Sequence, residues 1–442
     1  MASATSAQTQ HPLATPIYIL RGHAAPIHAL HVFAQNLRLL SADADGWVVI
    51  WDLVAKRPVT TWKAHAGAVL EVKALSVEPG LTEIYTTFRG KKNRHGRDHR
   101  LCVWKLRAED EGFLDKTLPV DVTTTNTEQK GTQPWLLHSL PVNALNFCAF
   151  SMTTFGTTSQ SQGQGQSEDA KATATHRHVL FAVPNALDSG GIDIFHLPSE
   201  RRLTTIKSDP SVKTGMLMAV NLFISLTGDV YVASAFEDGH IMVFLRKGIL
   251  SLSDIETGTT HPASWEWNKI YASRPHTQPV LSLDVAPSHD YFISSSADAL
   301  LIKHPIPGAG LTGARPAKHF VEDQALKVVN TKHSGQQGLR IRDDAKVFAT
   351  AGWDSRVRVY SCKTMKELAV LKWHKDGCYT VAFGEINGMA EAAPPGEHHT
   401  VEGGVQTRSL AAVHQQRSHK TQHTHWLVAG SKDGKISLWD IY

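Results

Sequence analysis

The chain has 442 residues, of which 42% are hydrophobic and 19% charged, with a formal net charge of +4 and a pI near 8.7. That balance is ordinary for a globular protein, and so mild a positive charge is not the concentrated basic face of a nucleic-acid binder. No apolar run is long enough to cross a bilayer as a helix, so no membrane partner is expected. The four cysteines, Cys102, Cys148, Cys362 and Cys378, form no C-x-x-C pair and read as reduced, packed thiols.

Residues 1–15 have neither a basic nor an apolar leader region and read as a disordered tail. Pro16-Ile-Tyr-Ile-Leu20 is a short strand-like run ahead of Gly22-His23. The next unit sets a pattern: His23, an alternating run from Pro26 to Leu30, a second run at Leu39-Leu-Ser41, then Asp45-Gly46 and Trp51. Alternation makes a half-buried strand, and Asp-Gly makes the tight turn between two strands. The same order returns at His65 with Asp98 and Trp104, and at His276 with Asp298 and His304. It returns again at His333 with Asp354 and Tyr360, and at His374 with Asp433 and Trp439. A looser copy follows His138 and runs from Asp188 to Phe195. The unit at Asp238 and Phe244 lacks the upstream His and carries Lys213-Thr-Gly215 in its place.

Seven such units predict an all-β, seven-bladed WD-repeat β-propeller over residues 16–442. In such blades the His and the turn Asp can hydrogen-bond to each other. A structural role is therefore expected for His23, Asp45, Trp51, His65, Asp98, Trp104, Asp238, His276, Asp298, His333, Asp354, His374, Asp433 and Trp439. The last unit ends at Tyr442 one strand short, so Ile17 to Leu20 are expected to complete it and close the ring.

Three segments fall outside the repeat. Residues from about 107 to 134 are acidic, then Thr-rich, and those from about 152 to 177 are Ser/Gln/Gly-rich and expected to be disordered. Residues from about 387 to 425 interrupt the last unit and hold His398, His399, His414, His419, His423 and His425. Their spacing fits no standard ligand set and no Cys joins them, so no metal is expected. The second unit's turn is elongated, and its Lys91, Lys92, Arg94 and Arg97 are either a small contact site for an acidic protein surface or nucleic acid, or a solvated loop. It has no interleaved aromatic residues for base stacking, and no direct nucleic-acid partner is expected. The chain carries no phosphate loop, nucleophile elbow or H-E-x-x-H pair, so no enzyme, cofactor or small-molecule substrate is expected.

The sixth unit is more distinctive than a generic repeat. Lys332-His333-Ser-Gly335-Gln336-Gln337-Gly338-Leu-Arg340-Ile-Arg342 is followed by Ala349-Thr-Ala-Gly352-Trp353-Asp354, then by Trp373-His374 and Cys378-Tyr-Thr-Val-Ala-Phe383. With Ala182-Val-Pro-Asn185 and Glu237-Asp238-Gly239-His240, this run resembles the ASTRA-associated protein 1 family, related to the guanine-nucleotide-binding-protein β-subunit-like protein. The long insertions resemble those of fungal members. The resemblance implies a non-catalytic scaffold subunit of the nuclear ASTRA complex, linked to chromatin remodelling and to the maturation of phosphatidylinositol-3-kinase-like kinases. Other classes are weighed against it. A G-protein β subunit needs an N-terminal coiled-coil helix, and residues 1–15 have no heptad. A ubiquitin-ligase receptor favours Arg two residues after Trp-Asp, where this chain has Leu53-Val54 and Ile441-Tyr442. A histone-tail reader is the remaining alternative. For partner contact the candidates are Gln336, Gln337, Arg340, Arg342 and Trp353, with packing of the sixth and seventh blades as their other role.

Overall fold

In the computed structural model, the described residues are 14–88, 100–118, 120, 132–142, 148–156, 178–250, 255, 265–309, 323–386 and 410–441. A first strand, Tyr18–Leu20 (β1), precedes the first blade, which is Ile27–Phe33 (β2), Arg38–Asp43 (β3), Trp47–Asp52 (β4) and Arg57–Lys63 (β5). Blade two is Val69–Glu78 (β6), Leu81–Phe88 (β7), Arg100–Arg107 (β8) and Trp135–Pro141 (β9). Blade three is Ser151–Phe155 (β10), His178–Pro184 (β11), Ile192–Leu197 (β12) and Arg201–Ile206 (β13). Blade four is Leu217–Ile224 (β14), Val230–Phe236 (β15), Ile241–Arg246 (β16) and Asn268–Ser273 (β17). Blade five is Val280–Val285 (β18), Tyr291–Ser296 (β19), Leu300–Pro305 (β20) and Lys327–Asn330 (β21). Blade six is Gln336–Ile341 (β22), Val347–Gly352 (β23), Val357–Ser361 (β24) and Glu367–Leu371 (β25). Blade seven holds Cys378–Phe383 (β26), Trp426–Ser431 (β27) and Ile436–Asp440 (β28), and β1 is its fourth strand.

Every strand pair is antiparallel, and the seven sheets form the expected propeller. Closure is as the strand count requires: Tyr18 pairs with Leu438, Ile19 with Ser437 and Leu20 with Ile436. Burial explains why the blades stay together. Seven apolar clusters lie one at each blade-to-blade interface; between blades one and two, Leu40, Ile50 and Trp62 meet Val72, Ile84 and Trp104. Each fully buried leucine contributes roughly 2 kcal/mol. The turn glycines add a second stitch. Gly46 has φ +93°, and a Cβ there would sit 1.9 Å from the His65 carbonyl oxygen of the next blade. Only glycine permits both that backbone conformation and that approach.

Blade three departs from the expected layout. Its inner strand is Ser151–Phe155, so the segment expected to be disordered from residue 152 begins inside a strand. His138 lies on β9, the outer strand of blade two, where its Nδ1 is 2.6 Å from Glu200 Oε1. It therefore does not open blade three. The last insertion includes a helix, Leu410–His423 (α1), whose end is tied to blade one by Asn36 Nδ2 donating to Gln422 O at 2.9 Å.

Candidate partner-binding surface

The residues that look most like chemistry in the sequence are holding blades together. His23 Nδ1 lies 2.7 Å from Asp43 Oδ2 and its Nε2 lies 2.8 Å from Ser41 Oγ, while Trp51 Nε1 donates to the same hydroxyl at 2.8 Å. The acid is Asp43, not Asp45, because Ser41 and Asp43 share one face of β3; Asp45 contributes its backbone N–H to Asp43 Oδ1. In blade two, His65 Nε2 is 2.7 Å from Thr86 Oγ1, to which Trp104 Nε1 donates at 3.1 Å. In blade seven, His374 Nε2 is 2.7 Å from Ser437 Oγ, which also accepts Trp439 Nε1 at 2.8 Å. Among the described residues, His and turn Asp meet as expected in blade five, with His276 Nδ1 3.1 Å from Asp298 Oδ2, and with His304 and His276 sharing Ser294.

Blade six differs. His333 Nδ1 stands 4.0 Å from Asp354, whose carboxylate is taken by Arg358 at 2.6 Å. Gln336 does the work of the missing His: it accepts from Thr350 Oγ1 at 2.8 Å and donates to Thr331 Oγ1 at 2.9 Å. Asp238 pairs with His240 at 2.6 Å, and Asp433 pairs with Lys435. Asp98, Lys91, Lys92, Arg94 and Arg97 lie outside the described residues.

The inner strands β2, β6, β10, β14, β18, β22 and β26 line a central channel of about 370 Å³. His28, Leu70, Met218, Leu281, Gln337 and Tyr379 stand at equivalent positions near the start of their strands. Three residues further along, Lys73, Asn221, Asp284 and Arg340 stand at the same level as His31, which accepts the Ala74 N–H at 2.9 Å. Arg340 Nη2 reaches Glu71 Oε2 at 2.7 Å, tying blade six to blade two across the channel. Burial opposes the Arg340 charge, but Glu71 and Asp284 more than offset it and raise its pKa. Asp284 is pushed up by burial against the pull of Arg340, and His31 is held well below its usual range by burial and by Lys73 and Arg340. The channel therefore carries its own counter-ions.

The sixth-blade candidates separate on this map. Gln336 and Arg342 are buried, the latter bound to Asp344 at 2.8 Å, which removes both from the surface expected to meet a partner. Arg340 is spent on the channel pair. Trp353 is 49% exposed and Gln337 lines the channel mouth beside it, with Trp353 Nε1 donating to Gln337 Oε1 at 2.7 Å. Sequence reasoning passed over Glu71, Lys73, Asp284, His28 and Tyr379. The available signal was a polar residue recurring at one level of successive inner strands.

The buried histidines make stability pH-dependent. Burial lowers His65 to about 3, and lowers His196 and His374 to about 4. The unfolded chain binds these protons near the ordinary histidine pKa of 6.5 and the folded chain does not, so stability falls as pH drops from about 6.5 toward 4. Each group contributes up to about 1.4 kcal/mol per pH unit in that window. Melting curves across this range should show the loss, and His374→Gln should flatten the slope. An unchanged slope would mean that His374 titrates alike in both states.

A family model described as ASTRA-associated protein 1 matches residues 16–439, the span of the ring. Among curated relatives of that name, one from Penicillium rubens is 62% identical over 453 residues, covering 99% of this chain and 99% of its own. One from Aspergillus flavus is 57% identical, covering 99% and 100% of the two chains. A more distant one from Schizosaccharomyces pombe is 31% identical over 84% of this chain and 93% of its own.

Proposed function

The chain belongs to the ASTRA-associated protein 1 family, and on that premise we propose that it is a non-catalytic scaffold subunit of the ASTRA complex. In this reading it works in the nucleus, within chromatin remodelling and the maturation of phosphatidylinositol-3-kinase-like kinases. The observation that carries the reading is that the family match runs through all seven blades rather than one repeat. The internal chemistry supports it. The His, Ser, Thr and Trp side chains that could have formed a reactive site are bonded to one another inside blades. The channel acids are likewise engaged: Glu71 by Arg340, and Asp284 by the Ile341 N–H at 2.7 Å. Among the described residues the two channel carboxylates are thus already bonded within the ring, which favours the scaffold over the tail-reading alternative.

The test is affinity purification of the full chain from nuclear extract with quantitative mass spectrometry. Large helical-repeat or kinase-family subunits should co-purify in near-stoichiometric amounts, and a fluorescent fusion should concentrate in the nucleus. Recovery as a lone monomer from a gentle lysate would sink the proposal.

A further inference from the structure

We propose that the face of blades six and seven around Trp353 docks an acidic segment of a partner protein, rich in Asp and Glu and carrying one aromatic or leucine side chain. This rests on the scaffold reading and assigns partner chemistry to one surface. The strands alternate in direction, so the β21–β22 and β25–β26 connections and the β23–β24 and β27–β28 turns all project from one face.

On that face Trp353 is exposed yet fixed. Its backbone N–H donates to Gly335 O at 3.0 Å and its indole N–H donates to Gln337. Its ring packs against Gly335, where φ is +72° and a Cβ would meet the nearest ring atom at 2.2 Å. A ring already held in place loses little freedom on binding, and tryptophan is a common anchor at interfaces. Gly377 lies next to it, and a Cβ there would stand 3.1 Å from Trp353 O and 3.4 Å from the Tyr379 ring. That bare position leaves a shelf running from Trp353 to Tyr379, which stacks on His28 with ring centroids 5.5 Å apart at the channel mouth.

The rim of the shelf is basic. Lys332, Lys375 and Lys432 are exposed and Arg356 is half-buried, and none has its side chain in an ion pair among the described residues. The neighbouring acids Asp354 and Asp433 are taken by Arg358 and Lys435, which leaves Asp376 as the exposed acid of these loops. Cations flanking a fixed indole are complementary to carboxylates flanking an apolar anchor. A nucleic acid would call for a series of stacking rings along a basic groove, and this shelf offers a single exposed indole.

The experiment is selection of short random peptides by phage display against the immobilised full-length chain, followed by anisotropy titration of the fluorescent winners. Selected sequences should be acidic with one aromatic or leucine anchor. Trp353→Ala should weaken them about tenfold or more without lowering the melting temperature. Lys332→Glu, Lys375→Glu and Lys432→Glu together should abolish binding, and added salt should weaken it in the unmodified chain. Basic or neutral winners, an empty selection, binding indifferent to both variants, or tighter binding of a single-stranded oligonucleotide would overturn the proposal. If ASTRA subunits still co-purify after such a failure, the scaffold stands and only this surface is wrong. If the peptides bind as expected while co-purification fails, this surface stands and its complex is another.

Discussion

Deletion of residues 1–20 lowers the melting temperature sharply, whereas deletion of residues 1–12 leaves it unchanged. The longer deletion removes β1, with its three register pairs to β28 and the Ile17 N–H bond to Leu438 O at 2.8 Å. It also removes Leu20, 1% exposed, from the cluster that joins blades seven and one through Ile27, Val428 and Ile436. Burial of one leucine contributes roughly 2 kcal/mol, and each ladder hydrogen bond about 1 kcal/mol net. The combined loss is therefore on the order of 5 kcal/mol, a large part of a domain's net stability. The deletion also uncovers the β28 edge, so self-association should accompany the loss. The shorter deletion ends before Pro16 and leaves every one of these contacts in place. Scanning fluorimetry of the two proteins beside the intact chain decides it, and equal melting of both would refute closure through β1.

Closure was legible because it is arithmetic: seven turn units, a final one lacking a strand, and an unassigned apolar run at the opposite end. The blade count was legible because alternation and Asp-Gly turns are local and each hairpin announces itself. What sits inside a blade was less so. The turn pattern selected Asp45, six residues before Trp51, whereas the two-residue strand period, which puts Asp43 beside Ser41, selects the acid that His23 meets. Gln336 in place of His333 is a substitution of role rather than of position. An amide can bridge Thr331 and Thr350 where the imidazole stands outside the blade. Blade three was misread at its start because a low-complexity run adjoins its inner strand, so composition masked the pattern at Ser151–Phe155.

The surface was half legible. Trp353 and Gln337 were singled out with Gln336, Arg340 and Arg342, as though four residues of one run faced the same way as Trp353. Strand geometry distributes them instead: Gln336 into the blade, Gln337 to the channel mouth, Arg340 into the channel and Arg342 to the β22–β23 turn beside Asp344. The partners that make Arg340 intelligible, Glu71 and Asp284, lie 269 and 56 residues away in sequence. No local pattern reports a contact across a ring.

That contact sets the second large effect. Arg340→Leu leaves Glu71, whose side chain is 5% exposed, without its guanidinium, and the channel's remaining charges become Glu71 and Asp284 against Lys73 alone. Breaking a buried pair from one side costs about 3–5 kcal/mol, while replacing both partners by apolar groups is often neutral. Arg340→Leu should thus destabilise the chain by about 3 kcal/mol, and adding Glu71→Leu should restore most of it. Glu71→Leu alone should also destabilise, since Lys73 and Arg340 then face each other with only Asp284 between them. Denaturant midpoints for the two single variants and the double variant give the coupling directly. Additive losses in the double variant would show that the pair does not hold the ring. The same geometry makes Arg340→Glu a poor probe of partner binding. It sets a carboxylate against Glu71 and should destabilise the ring, so loss of partners in that variant would report on the channel as much as on the surface.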